Sequence, residues 1–128
     1  MKDKVVVITG STSGIGFGIA SKFAKNGAKL VINGFASESE VNKISADLIA
    51  LGAVDVLFSG ADLSKPSEID NMFKNVIQKY QRIDVLVNNA GIQFVSPIED
   101  FPPEKWEMIV RVDLIAAFYT IKNVIPIM

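Results

Sequence analysis

Apolar residues fall along this chain in two alternating rhythms. Residues 4–8 (KVVVI) form a compact β-branched run, the pattern of a strand buried on both faces. Ile15, Ile19 and Phe23 then recur at helical spacing, and Gly27 stands where a helix would end. The pair of patterns repeats. Residues 29–33 (KLVIN) predict a second strand. Ser37-Glu38-Ser39-Glu40 is a capping box, in which the serine hydroxyl takes an orphan N–H and the glutamate reaches back. Val41, Ile44, Leu48 and Leu51 continue one helical face as far as Gly52. Residues 54–58 predict a third strand, and Ser64-Lys65-Pro66 opens a third helix. Its apolar stripe is Ile69, Met72, Phe73, Val76, Ile77 and Tyr80. Residues 84–87 predict a fourth strand, leading into Asn88-Asn89-Ala90-Gly91. Beyond Pro102-Pro103, residues 106–125 predict a long and largely buried helix.

Strand and helix alternate four times with short connections, which predicts an α/β fold with a parallel sheet and right-handed crossovers. No internal repeat, low-complexity tract or linker interrupts the pattern, so residues 1–128 are expected to form one unit. The length of 128 residues suits a single domain. Hydrophobic residues make up 49% and charged residues 21%, which excludes disorder by composition. Mean hydropathy is +0.33. That value requires parallel-sheet burial, or a surface that expects a partner.

Charge and residue usage narrow the chemistry. The net charge of −1 offers no basic face to nucleic acid or anionic lipid. The absence of cysteine and histidine removes disulfides, thiolate metal sites and the commonest general base, and no metal site is expected. No apolar stretch reaches the uninterrupted length of a membrane span, and the N-terminal run lacks a cleavage site, so a cytoplasmic protein is expected.

The candidate chemistry begins at Thr9-Gly10-Ser11-Thr12-Ser13-Gly14-Ile15-Gly16, between the first strand and the first helix. Glycines there allow a tight bend and close backbone approach, and the helix N-terminus offers free N–H groups to a pyrophosphate. Ser11, Thr12 and Ser13 add hydroxyl donors. Taken alone, the loop could equally be a turn that uses glycine for sterics.

Three motifs in order change that balance. The spacing T-G-x-x-x-G-x-G, the pair Asp62-Leu63 after the third strand, and Asn88-Asn89-Ala90-Gly91 after the fourth resemble the short-chain dehydrogenase/reductase family. The resemblance covers all 128 residues. It implies a partial Rossmann-like, doubly wound parallel sheet of strand order 3-2-1-4, with the later strands missing. It also implies a dinucleotide site built from Gly10, Ser11, Thr12, Ser13, Gly14, Ile15, Gly16, Asp62, Leu63, Asn89, Ala90 and Gly91, at the carboxyl ends of the strands. Asp62 is the family's adenine contact. Asn33-Gly34-Phe35-Ala36 carries neither the carboxylate typical of NAD enzymes nor the arginine typical of NADP enzymes. With no cation to meet a 2′-phosphate, NAD is the expected cofactor. Phe35 is either an adenine contact or a packed loop aromatic.

Within the family, V-I-N-G-F at 31–35, N-N-A-G-I-Q at 88–93 and P-I-E-D-F-P-P-E-K-W at 97–106 are similar to the bacterial D-3-hydroxybutyrate dehydrogenases. That likeness implies a 3-hydroxy acid substrate, with Gln93 holding its carboxylate.

The same resemblance shows what these residues lack. Family chemistry needs a Tyr with a Lys four residues on, and a Ser upstream, all beyond the fifth strand. None of the three is expected in residues 1–128. Tyr119 and Lys122 are spaced by three and lie in the wrong element. Asp113 stands where the family has an Asn in its last helix here, and a buried unpaired carboxylate at that place would cost several kcal/mol. Three readings follow. One is a truncated chain, inactive alone. Another is one half of a split oxidoreductase completed by a second chain. The third is a non-enzymatic NAD-binding or interaction module. Self-association or a complementing C-terminal chain is expected, because the fourth strand is left as an apolar edge.

Overall fold

A computed structural model describes residues 1–128. Four parallel strands, β1 (Val5–Ile8), β2 (Lys29–Asn33), β3 (Asp55–Ser59) and β4 (Val85–Val87), form one sheet in the order β3-β2-β1-β4. Register pairs Val6 with Leu30 and with Val85, and Leu30 with Val56. The uninterrupted apolar runs of β1 and β2 are explained by their place: both strands lie in the middle of the sheet, and all their apolar residues are buried.

Each face of the sheet carries its own core. Val6, Ile8, Leu30 and Ile32 meet α1 (Gly14–Ala24) and α2 (Glu38–Leu51) through Ala20, Ala24 and Leu48. Val5, Val7 and Val31 meet α3 (Pro66–Tyr80) through Ile69, Phe73 and Val76, and α5 (Ala116–Val124) through Ala116 and Val124. The period-2 alternation of the strands thus sorts their side chains between two helical layers.

The capping box at Ser37 forms with one difference from expectation. The Ser37 hydroxyl accepts from Glu40 N–H at 3.3 Å, while the Glu40 carboxylate receives that same hydroxyl at 2.9 Å rather than the backbone N–H of Ser37. The third strand runs one residue later than predicted. Val54 falls outside it and Ser59 is added, while Asp55 starts it with its carboxylate held by Lys79 and Tyr80 at the end of α3.

The last helix departs further from the sequence reading. It begins at the proline pair, as α4 (Pro103–Val110), and continues through a π turn at Arg111–Ile115 into α5. In that turn the Ala116 N–H donates to the Arg111 carbonyl, five residues back. The helix is not largely buried: Leu114, Phe118 and Ile125 are 68%, 60% and 65% exposed. A single sheet face can cover only one stripe of it, and that stripe is Ala116, Thr120 and Val124.

Candidate functional site

The four strands end on one side of the sheet, and the loops that follow them are tied together there. Thr9, buried after β1, is the first knot. Its hydroxyl oxygen accepts from the N–H groups of Asn89 and Ala90 at 3.1 and 3.0 Å. Asn89 returns the contact, its Nδ2 donating to the carbonyls of Thr9 and Gly10. Glycine is required where these loops touch. Gly10 has φ +61°, and a Cβ on it would lie 2.8 Å from Ala90 Cα. A Cβ on Gly16 would run into the Gly10 carbonyl oxygen and Asn89 Nδ2.

Asn33, at the end of β2, is the second knot. Its Nδ2 donates to the carbonyls of Ser59 and Ala61 at 3.1 Å each, and its Oδ1 accepts from Gly10 N–H at 3.3 Å. One buried amide thereby joins the loops that follow β1, β2 and β3. An amide suits the place because it offers two donors and an acceptor on one planar group.

Between the knots lies a cleft of about 370 Å³. Gly10, Ser13, Ile15 and Gly16 wall it from the glycine loop, Phe35 from the loop after β2, Asp62 and Leu63 from the loop after β3, and Asn89, Ala90 and Gly91 from the loop after β4. Ten of the residues singled out from the sequence are therefore brought to one place. The structure adds Asn33, Gly34, Ala61, Ile92 and Val112 to the walls. Asn33 had a sequence signal, a polar residue closing an apolar strand just before a glycine. Val112 had none, because its position depends on the π turn.

Other candidates stand elsewhere. Ser11 is buried behind the loop, its hydroxyl donating to the Ile8 carbonyl at 2.7 Å and accepting from Asn33 N–H at 3.0 Å. Thr12 packs its side chain over Gly34 and does not line the cleft. Gly14 supplies the φ of +57° with which α1 starts, and it too is outside the cleft lining. Gln93 is exposed on the segment after β4, away from the cleft walls. Asp113 is not the buried, unpaired charge expected from the sequence. It is exposed and accepts the Ile92 N–H at 2.8 Å, because the π turn carries it outward over the Gly91–Ile92 backbone.

The electrostatics of the cleft are set by the start of α1. The N–H groups of Gly14, Ile15 and Gly16 have no backbone or side-chain partner, and the N-cap Ser13 makes no capping bond. No acidic residue sits in that first turn. The contrast with α2 is direct, since α2 is capped by Ser37 and carries Glu38 and Glu40 in its first turn. A helix end with free donors and no carboxylate in its first turn favours an anion. No Lys or Arg lines the cleft. Asp62 is the one ionisable residue in its walls. The Ser64 side-chain and backbone donors, at 2.7 and 2.9 Å, hold its carboxyl below the usual range, with Lys65 adding to the effect.

The family model for short chain dehydrogenase matches residues 4–128. The chain belongs to the short-chain dehydrogenase family. Among curated relatives, the chain is 48% identical over 123 residues to the D-beta-hydroxybutyrate dehydrogenase of Rhizobium meliloti, covering 96% of this chain and 48% of that protein. It is 42% identical over 127 residues to the D-beta-hydroxybutyrate dehydrogenase of Cupriavidus necator, covering 98% and 48%. The chain spans about half the length of the curated relatives it matches. Among solved structures, it superposes with a TM-score of 0.91 and 29% identity on a metagenomic short-chain oxidoreductase in complex with NADP, covering 100% of this chain and 57% of that one. A second, at TM-score 0.91 and 33% identity, is the L-sorbose reductase of Gluconobacter frateurii complexed with NADPH and L-sorbose, covering 98% and 47%. No helix is long and apolar enough to cross a membrane.

Proposed function

We propose that residues 1–128 are the NAD-binding half of a dehydrogenase acting on a 3-hydroxy acid, and that this half alone does not turn substrate over. The observation that carries the reading is the start of α1: three free N–H groups with no cap and no acidic residue in the first turn, two of them on Ile15 and Gly16 in the walls of the cleft that the strand-end loops form. Such a group of donors suits a pyrophosphate. In this reading Ser13, Gly14, Ile15 and Gly16 hold the pyrophosphate, with Gly10, Ser11 and Thr12 shaping the loop that presents them. Phe35, Asp62 and Leu63 hold the adenosine, and Asn89, Ala90 and Gly91 wall the nicotinamide side. When bound, the cofactor supplies the acceptor for substrate hydride.

NAD is favoured over NADP because the cleft walls carry no cation to offset a 2′-phosphate. The substrate class follows the two D-beta-hydroxybutyrate dehydrogenases. Gln93 would bind the substrate carboxylate once further polypeptide brings substrate to it. Residues 1–128 contain no Tyr followed four residues on by Lys. The proton transfer that accompanies oxidation of the hydroxyl therefore has no donor–acceptor pair here, and such catalysis contributes about 10²–10⁴ in rate. The half-buried β4 edge and the exposed face of α5 favour completion by further strands, in the same chain or another.

Calorimetric titration tests the reading. NAD should bind more tightly than NADP, and Ser13→Asp should abolish binding while leaving the melting temperature unchanged or raised. Aspartate is a good N-cap, so the helix keeps its start, but its charge takes the pyrophosphate's place. Undiminished NAD affinity in that variant would show that the α1 terminus is a turn and not the site.

A further inference from the structure

We infer that Asp113 biases this site toward the oxidised, cationic form of its cofactor, acting as a fixed negative charge behind the nicotinamide end of the cleft. The inference rests on the dinucleotide reading above and deepens it. With pyrophosphate at the start of α1 and adenosine towards Phe35 and Asp62, the remaining end of the cleft is walled by Gly91, Ile92 and Val112. Asp113 stands directly behind that wall. Its Oδ1 accepts the Ile92 N–H at 2.8 Å, and a Cβ on Gly91 would lie 3.6 Å from the same oxygen.

The π turn keeps the carboxylate there. Arg111–Ile115 is the one stretch of this helix where the hydrogen bonds open to five residues, and Asp113 is at its centre. No ion pair neutralises the carboxylate, since none of the chain's five salt bridges includes Asp113. No Lys or Arg lines the cleft beside it. An amide would make the same bond to Ile92 without the charge. The carboxylate therefore adds something that the hydrogen bond does not require.

That addition discriminates between redox forms. The oxidised nicotinamide ring carries a positive charge, and the reduced ring carries none. Both forms share one pyrophosphate, so its repulsion from Asp113 cancels when the two affinities are compared. The difference that remains is the attraction between carboxylate and cationic ring. For a partly solvated pair this amounts to about three- to tenfold in the affinity ratio, screened by salt.

Asp113→Asn keeps the acceptor for Ile92 N–H and nearly the same shape, so it changes the charge alone. The test is the dissociation constants of NAD⁺, NADH and ADP-ribose for the protein and for this variant, at low and at high salt. Asp113→Asn should weaken NAD⁺ relative to NADH by about three- to tenfold and leave ADP-ribose unchanged or slightly tighter, since for that ligand only the pyrophosphate's repulsion is relieved. High salt should move the unsubstituted protein's ratio towards that of the variant. Normal ADP-ribose binding with an unaltered NAD⁺/NADH ratio would overturn the inference and leave the dinucleotide site standing. Failure of the unsubstituted protein to bind any of the three would overturn both.

Discussion

Asn33 is the side chain on which the cleft depends most. Its amide donates to the Ser59 and Ala61 carbonyls and accepts from Gly10, so three loops share one buried group. Asn33→Asp would set carboxylate oxygen against two carbonyl oxygens in a buried place. Urea unfolding should show a loss of about 2–4 kcal/mol; a loss under about 0.5 kcal/mol would mean the two donated bonds add little. Three carboxylates also tie stability to pH. Arg82 holds Asp84 below the usual carboxylate range, against partial burial, with help from the Val5 N–H and Lys4. Burial pushes Asp55 upward, but Lys79 and the Tyr80 hydroxyl outweigh it and the net direction is down. Asp62 is lowered by Ser64. Each folded-state value lies under the unfolded one. Their contribution is therefore present above the unfolded value near about pH 4 and is lost as pH falls through the folded values. Melting temperature should be insensitive to these groups from neutral pH to about pH 5 and fall below about pH 4. In Asp84→Asn that acid slope should be shallower, and an identical slope would remove Asp84 from the account.

At the scale of elements, the helix over α4, the π turn and α5 is where the sequence misleads. Its apolar residues are numerous enough to predict burial, yet the sheet covers only the face of Ala116, Thr120 and Val124. Thr120 joins this face to the loop after β4, its hydroxyl donating to Asn88 Oδ1 at 2.6 Å. The other face leaves Leu114, Phe118 and Ile125 to solvent, and β4 has no strand on its outer edge. Covering a few hundred Å² of apolar surface at about 25 cal/mol per Å² would contribute about 5–10 kcal/mol. Residues 1–128 alone should therefore self-associate and bind a dye specific for exposed apolar surface. Phe118→Lys should reduce both in sedimentation and fluorescence, with little loss of stability, because Phe118 is 60% exposed and belongs to neither core cluster. A sharp monomer with no dye binding in the unsubstituted chain would contradict this.

At the scale of the molecule, the legible part and the illegible part have different physical sources. The two central strands were legible because β1 and β2 are buried on both faces, which leaves no choice of residue but apolar; the strand order came from the family resemblance and not from the residue pattern. The glycine loop was legible because Gly10 and Gly16 sit where a Cβ would collide with backbone. Ser11 and Asp113 were misplaced for one shared reason: their surroundings come from elements distant in sequence. Ser11 is bonded to Asn33, and Asp113 is carried by a π turn that no local pattern announces. The central claim is that these residues hold the cofactor half of a dehydrogenase without its proton-transfer pair. The direct test is to follow reduced nicotinamide in a preparation of residues 1–128, free of host dehydrogenase, with saturating NAD and D-3-hydroxybutyrate. The account predicts a signal equal to the protein-free blank, from a preparation that binds NAD in calorimetry. Steady formation of reduced nicotinamide above that blank would contradict it.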